Sequence, residues 1–128
     1  TLNPGGVRIG TSEIYQQVED IDFITEGLVV GQDFKDDVRI VLFITTKNNE
    51  ELDDEKIKTI KSKIRKNCSP KHVPSKIIKV PEIPRTKSGK IVELAVRKVI
   101  HGETINNKEA IANPESLKFF ENLPQLKL

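Results

Sequence analysis

Apolar positions along the chain fall into separate runs whose spacing changes from one run to the next. Ile14, Val18 and Ile21 recur at helical spacing behind Thr11, Ser12 and Glu13, a hydroxyl cap with an acid in the first turn, which predicts a helix over residues 11–20. GLVVG and DVRIVLFITT follow, rich in β-branched residues and separated by QDFKDD, whose polar turn chemistry predicts a two-stranded ribbon. In LDDEKIKTIKSKIRKNC, Ile57, Ile60 and Ile64 share one face, lysines fill the other, and Asp53 or Asp54 stands where a cap belongs. PSKIIKV, between Pro74 and Pro81, predicts another short strand. KIVELAVRKVI is a second amphipathic helix, with Ile91, Ala95 and Val99 on one stripe, Val92, Val96 and Ile100 beside it, and Gly102 placed to end it. The order predicts an α+β fold: a small β-ribbon and short sheet packed by two to three helices, with a C-terminal surface extension.

The extension begins where the composition changes. ETINNKEAIANPES is polar and without sustained period, and Asn113-Pro114 then offers the start of a short helix, PESLKFFEN. Leu117, Phe119, Phe120 and Leu123 are too apolar for a free terminus, so this segment is expected to dock. The boundaries expected are 1–102 for the main domain and 103–128 for the extension.

Bulk composition narrows the function classes only a little. With 128 residues, the chain has the size of one domain. Its 21 basic and 19 acidic side chains leave a net charge of +2, too balanced to argue by itself for nucleic acid or an anionic membrane. No apolar run approaches the roughly 20 residues of a membrane span, and the opening TLNPGGVRIG lacks the regions of a secretory signal. A single cysteine, Cys68, excludes an internal disulfide framework and cysteine ligation of a metal. The expectation is a soluble, cytoplasmic protein without a metal site of its own.

Two glycine-containing stretches carry the candidate chemistry. In PEIPRTKSGKIVE the Walker phosphate cradle fails, because its first position is Pro84 and the residue after Gly89-Lys90 is Ile91 in place of a hydroxyl. Arg85, Lys87 and Lys90 could form a basic patch for nucleic acid, but no aromatic side chain is interleaved for base stacking. A solvated surface loop with ordinary cations is the bland alternative. The prolines and the Ser88-Gly89 turn instead suit a loop that presents one compact cation, Lys90, at a defined place. NPGGVRIGTSE lacks the glycine spacing of a dinucleotide fingerprint; Gly5 and Gly6 permit close backbone approach, and Arg8 lies just ahead of a helix start, where anions are favoured. His72 and Cys68 have no partner at catalytic spacing and read as structural.

GGVRIGTSEIY and IPRTKSGKIVE, in this order and about 75 residues apart, resemble two signature motifs of the carboxyl-terminal domain of the acyl-adenylate-forming ligases, which include acyl-CoA synthetases, luciferases and peptide-synthetase adenylation domains. Within them, TLNPGGVRIG, HVPSKI and the extension are most similar to the acetoacetate-activating branch; the acetate-activating branch, which usually ends soon after the final helix, is the near alternative. The resemblance implies a two-step enzyme. An acid reacts with ATP to give an acyl-adenylate and pyrophosphate, and the thiol of coenzyme A then displaces AMP.

It also implies a partner in the same chain: a large N-terminal domain that binds ATP, Mg2+ and the acid, against which this small mobile domain swings between two poses. The present segment alone should be inactive, and the family's hinge residue is expected just before Thr1. Lys90 matches the family's catalytic lysine, which contacts the acid carboxylate and the α-phosphate. Arg8 matches an arginine near the nucleotide phosphates, Gly5 and Gly6 match the loop lining the pantetheine tunnel, and Arg65 falls where the acetate branch has an arginine near the nucleotide end of coenzyme A. Glu13 matches an acid of the first motif and is expected to cap or pair. Small-molecule substrates, with no nucleic acid and no membrane span, complete the expectation; a stand-alone nucleic-acid module is the alternative of another class.

Overall fold

The computed structural model describes residues 8–88, 91–105 and 108–127. Its centre is a three-stranded sheet in the order β1-β2-β3. Strands β1 (Ile24–Phe34) and β2 (Asp37–Thr46) form an antiparallel hairpin, and β3 (Lys76–Lys79) runs parallel to β2 along its other edge. The expected ribbon and short strand therefore belong to one sheet. A parallel neighbour requires a crossover, and helix α2 (Asp54–Asn67) provides it.

The hairpin turn is tighter than QDFKDD suggests. Gln32, Asp33 and Phe34 pair with Arg39, Val38 and Asp37, leaving Lys35 and Asp36 as the turn, with φ of 50° and 61°. Two consecutive left-handed residues match the twist of the flanking strands. Polar character misplaced this boundary because Gln32 is buried for its hydrogen bonds: its Nε2 donates to the Leu126 carbonyl at 2.9 Å, and its Oε1 accepts from Arg39 Nε at 2.7 Å.

β2 is buried on both faces, which explains its near-continuous apolar run. On one face Ile40, Leu42 and Ile44, with Val29 of β1, meet Ile14 and Val18 of helix α1 (Thr11–Glu19) and Ile60 and Ile64 of α2. On the other, Leu28, Val30, Val41, Phe43 and Ile78 meet Ala95 and Val96 of helix α3 (Glu93–Ile100), joined by Ile111, Leu117, Phe120 and Leu126 of the extension. The extension docks on its own domain: Phe120 is fully buried, with its ring edge-on to Phe43 at 4.8 Å and 76°. Its expected short helix is a 3-10 turn, Pro114–Phe120.

Local signals account for two of the helix ends. Asp53 caps α2 by accepting the Lys56 N–H at 2.9 Å. Gly102, at φ 75°, ends α3 in a Schellman arrangement: its N–H donates to the Val99 carbonyl at 3.0 Å, while the Glu103 N–H donates to that of Lys98 at 2.8 Å. α1 departs from the expectation. Gly10 occupies its cap position, Thr11 is its first helical residue, and no side chain closes it.

Candidate functional site

The loop leading to Lys90 is built as the middle member of three short extended segments. Ile83 and Pro84 are buried, so the chain leaves β3 anchored in the core. Arg85 then pairs antiparallel with Ile91, and Thr86 pairs antiparallel with Ile111 of the extension. The Ala112 N–H donates to the Arg85 carbonyl at 2.7 Å, and the Val92 N–H reaches the Pro84 carbonyl at 3.4 Å. Residues 85 and 91 thus close the base of a hairpin whose tip carries Lys87 and Ser88, both exposed. Gly89 and Lys90 lie outside the described residues.

Arg85 does not join a basic patch. Its guanidinium pairs with the Glu26 carboxylate of β1, so one of three cations expected for anion binding is committed inside the domain. Thr86 and Ser88 hydroxyls meet across the turn at 3.0 Å. Below this ion pair a cavity of about 250 Å³ opens between α1, β1 and the loop, with Tyr15, Val18, Gly27 and Ile91 among its walls.

The first motif borders the same cavity from the other side. Arg8 is exposed at the entrance to α1, and Ile9 behind it is buried; Gly5 and Gly6 lie outside the described residues. Tyr15 ties this motif to the second. Its hydroxyl oxygen accepts the Val29 N–H at 2.9 Å. Burial pushes the phenol pKa well up, the Val29 bond partly counteracts this, and the charge of Glu93, which also hydrogen-bonds the hydroxyl, pushes it up further. Glu93 opens α3, so GTSEIY and GKIVE meet through one side-chain pair.

Glu13 pairs with His72 Nε2 at 2.8 Å, while His72 Nδ1 lies 2.6 Å from Ser69 Oγ, joining the start of α1 to the end of α2. Burial and the nearby Glu13 charge push the Cys68 thiol up, away from the thiolate a nucleophile needs. Arg65 sits exposed in the last turn of α2 and lines an open cavity of about 410 Å³ with Lys58, Lys61 and Ser62. That cluster offers cations to an anion. It lies on the sheet face covered by α1 and α2, whereas the lysine loop leads into α3 on the opposite face. Among the described residues no group of three or more His, Cys, Asp or Glu could hold a metal ion, and no helix is long and apolar enough to cross a membrane.

Asn113 carries no sequence signal beyond its place before Pro114. Its Oδ1 accepts the Arg85 N–H at 2.8 Å, and its Nδ2 donates to Glu82 Oε1 at 2.6 Å and to the Ile83 carbonyl at 3.1 Å. Glu26 and Glu93 are equally silent in sequence, because each acquires its partner only through tertiary folding.

Comparison with known proteins identifies the family. The family model described as AMP-binding enzyme C-terminal domain matches residues 13–90. The acetoacetyl-coenzyme A synthetase of Rhizobium meliloti (strain 1021) is 60% identical over 127 residues, covering 99% of this chain and 20% of that protein. The acetoacetyl-CoA synthetase of Xenopus tropicalis is 44% identical over 128 residues, covering 99% and 19%. Among solved structures, the acetoacetyl-CoA synthetase from Streptomyces lividans superposes with a TM-score of 0.84 at 36% identity over 95% of this chain and 19% of that one. A Brucella canis acyl-CoA synthetase gives 0.71 at 25% identity over 77% and 18%. The chain spans about one fifth of the length of the curated relatives it matches.

Proposed function

This chain belongs to the AMP-binding enzyme C-terminal domain family, and we propose that it is the mobile C-terminal domain of an acetoacetyl-CoA synthetase. The observation that carries the branch assignment is coverage. The family model stops at residue 90, while the acetoacetyl-CoA synthetases named above match 99% of the chain, extension included.

In this reading acetoacetate and ATP give acetoacetyl-adenylate and pyrophosphate, and coenzyme A then displaces AMP. The N-terminal domain of the same chain holds ATP, the acid and Mg2+. Lys90 is delivered to the acid carboxylate and the α-phosphate. A cation there offsets the repulsion between two approaching anions and stabilises charge developing in the transfer. Arg8 meets the nucleotide phosphates. In the thioester pose Gly5 and Gly6 line the pantetheine path, where a side chain would obstruct the thiol, and Arg65 with its lysine neighbours receives the nucleotide end of coenzyme A. The Arg65 cluster lies on α2, while the lysine loop leads into α3 on the other side of the sheet, and this separation supports different surfaces serving the two steps. The single, unactivated cysteine and the absence of a membrane-crossing helix among the described residues are compatible with a cytoplasmic enzyme.

The test is acid-dependent exchange of pyrophosphate into ATP by the full-length enzyme that contains this segment. Acetoacetate should give the highest kcat/KM in a panel with acetate, propionate and butyrate. A preference for acetate would move the chain to the neighbouring branch, and no exchange with any acid would overturn the reading.

A further inference from the structure

Residues 84–86 lie between two partners, Ile91 on one side and the extension on the other, so the aim of the hairpin tip depends on a segment that the family model does not include. Asn113 is the point where that dependence concentrates. Its one side chain holds three groups of the loop at once: the Arg85 N–H, the Ile83 carbonyl and the Glu82 carboxylate. Asn113 is itself held firmly. Ile111 is buried two residues before it, Pro114 disfavours helical backbone at it, and Ser116 Oγ donates to its carbonyl at 2.6 Å. A loop that must deliver a cation to within hydrogen-bond reach of two anions gains rate from such bracing, since misplacement by about 1 Å can cost on the order of 100-fold.

The geometry points to Asn113 as a positioning residue for adenylation: the extension, acting through this amide, sets the register of the loop that carries Lys90. The inference rests on the proposed function, because it takes Lys90 as the adenylation lysine. It goes beyond that function in assigning the extension a kinetic role inside its own domain.

The experiment uses the full-length enzyme and measures its two half-reactions separately, pyrophosphate exchange for adenylation and thioester formation from added acetoacetyl-adenylate. Asn113→Ala should lower kcat for exchange by about 10- to 100-fold, leave KM for ATP within about twofold, and leave thioester formation near the wild-type rate. Asn113→Asp keeps the acceptor for Arg85 but sets a carboxylate against both Glu82 and the Ile83 carbonyl, so it should also lose exchange. Adding Glu82→Gln to it restores the contact at position 82 with donor and acceptor reversed, though not the bond to the Ile83 carbonyl, and should recover a measurable part of the rate. A loss shared equally by both half-reactions, no loss in either, or no rescue by the reversed pair would overturn the inference. Should Asn113→Ala fail to fold, the Asp variant and its rescue carry the same decision. Lys90→Ala is run beside them: if it loses exchange while the Asn113 variants do not, only this inference falls, and if it keeps exchange, the functional reading falls and this inference with it.

Discussion

Replacing Phe120 with alanine tests whether the extension belongs to the core. Its ring is fully buried and meets Phe43 edge-to-face at 4.8 Å, beneath the α3 face of the sheet. Truncating a buried phenylalanine costs about 3 to 5 kcal/mol through lost transfer and the cavity left behind, of which the aromatic pair accounts for about 0.5 to 1.5 kcal/mol. Against a total stability of about 5 to 15 kcal/mol for an ordinary domain, that is a large share. With a urea slope of about 2 kcal/mol per molar, the unfolding midpoint of the 128-residue chain should fall by about 2 M, the slope staying unchanged. The assay is urea denaturation followed by far-ultraviolet circular dichroism. A shift below about 0.3 M would be the size of a surface substitution and would refute a docked extension.

Other expectations follow from single contacts. A methyl group on Gly27 would meet Val18 Cγ1 at 2.8 Å, and this buried β-branched side chain cannot swing aside. Gly27→Ala should therefore lower the thermal midpoint by an overpacking cost of about 1 to 3 kcal/mol, which exceeds the roughly 0.4 to 1 kcal/mol gained from a stiffer unfolded chain; an unchanged or raised midpoint would contradict close packing of α1 on β1. Tyr15 is the sole tyrosine and there is no tryptophan, so phenolate absorbance reports one group. Its folded pKa is raised, so the stability held in the neutral phenol is complete below the ordinary value of 10.0 and is lost as pH rises beyond it. The folded chain should show no phenolate step at 10.0, and an ordinary titration there would contradict the buried contact with Val29 and Glu93. Arg65→Ala should raise KM for coenzyme A by about tenfold or more, the value of a lost charge-assisted hydrogen bond, without altering pyrophosphate exchange; equal effects on both would remove Arg65 from the coenzyme A path.

How far the fold was legible depended on where each element finds its partners. β2 announced itself by a near-continuous run rich in β-branched residues and α2 by an apolar period that matches the face it buries, and Asp53 caps within its own turn. The hairpin turn was misplaced because Gln32 and Asp33 look like loop residues in sequence, while their pairing partners and the Leu126 carbonyl that buries Gln32 are distant in the chain. α1 looked hydroxyl-capped, yet its backbone enters from Gly10 in extended conformation, one residue earlier. The apolar residues of the extension signalled docking, though not the surface they cover. The two motifs were visible as motifs; the contacts that join and brace them, Tyr15 to Glu93, Arg85 to Glu26 and Asn113 to the loop, were not. Each pairs ordinary polar residues far apart in sequence, and no local period records such a meeting.

The most direct test crosses Lys90→Ala and Gly6→Leu in the full-length enzyme and reads each half-reaction alone. Lys90→Ala should lose acetoacetate-dependent pyrophosphate exchange by about 100- to 1,000-fold, the scale of removing one preorganised electrostatic contact to the transition state, while still making acetoacetyl-CoA from added acetoacetyl-adenylate. Gly6→Leu should do the reverse, keeping exchange and losing thioester formation. Equal loss in both half-reactions for both variants would contradict one small domain serving the two steps with different faces.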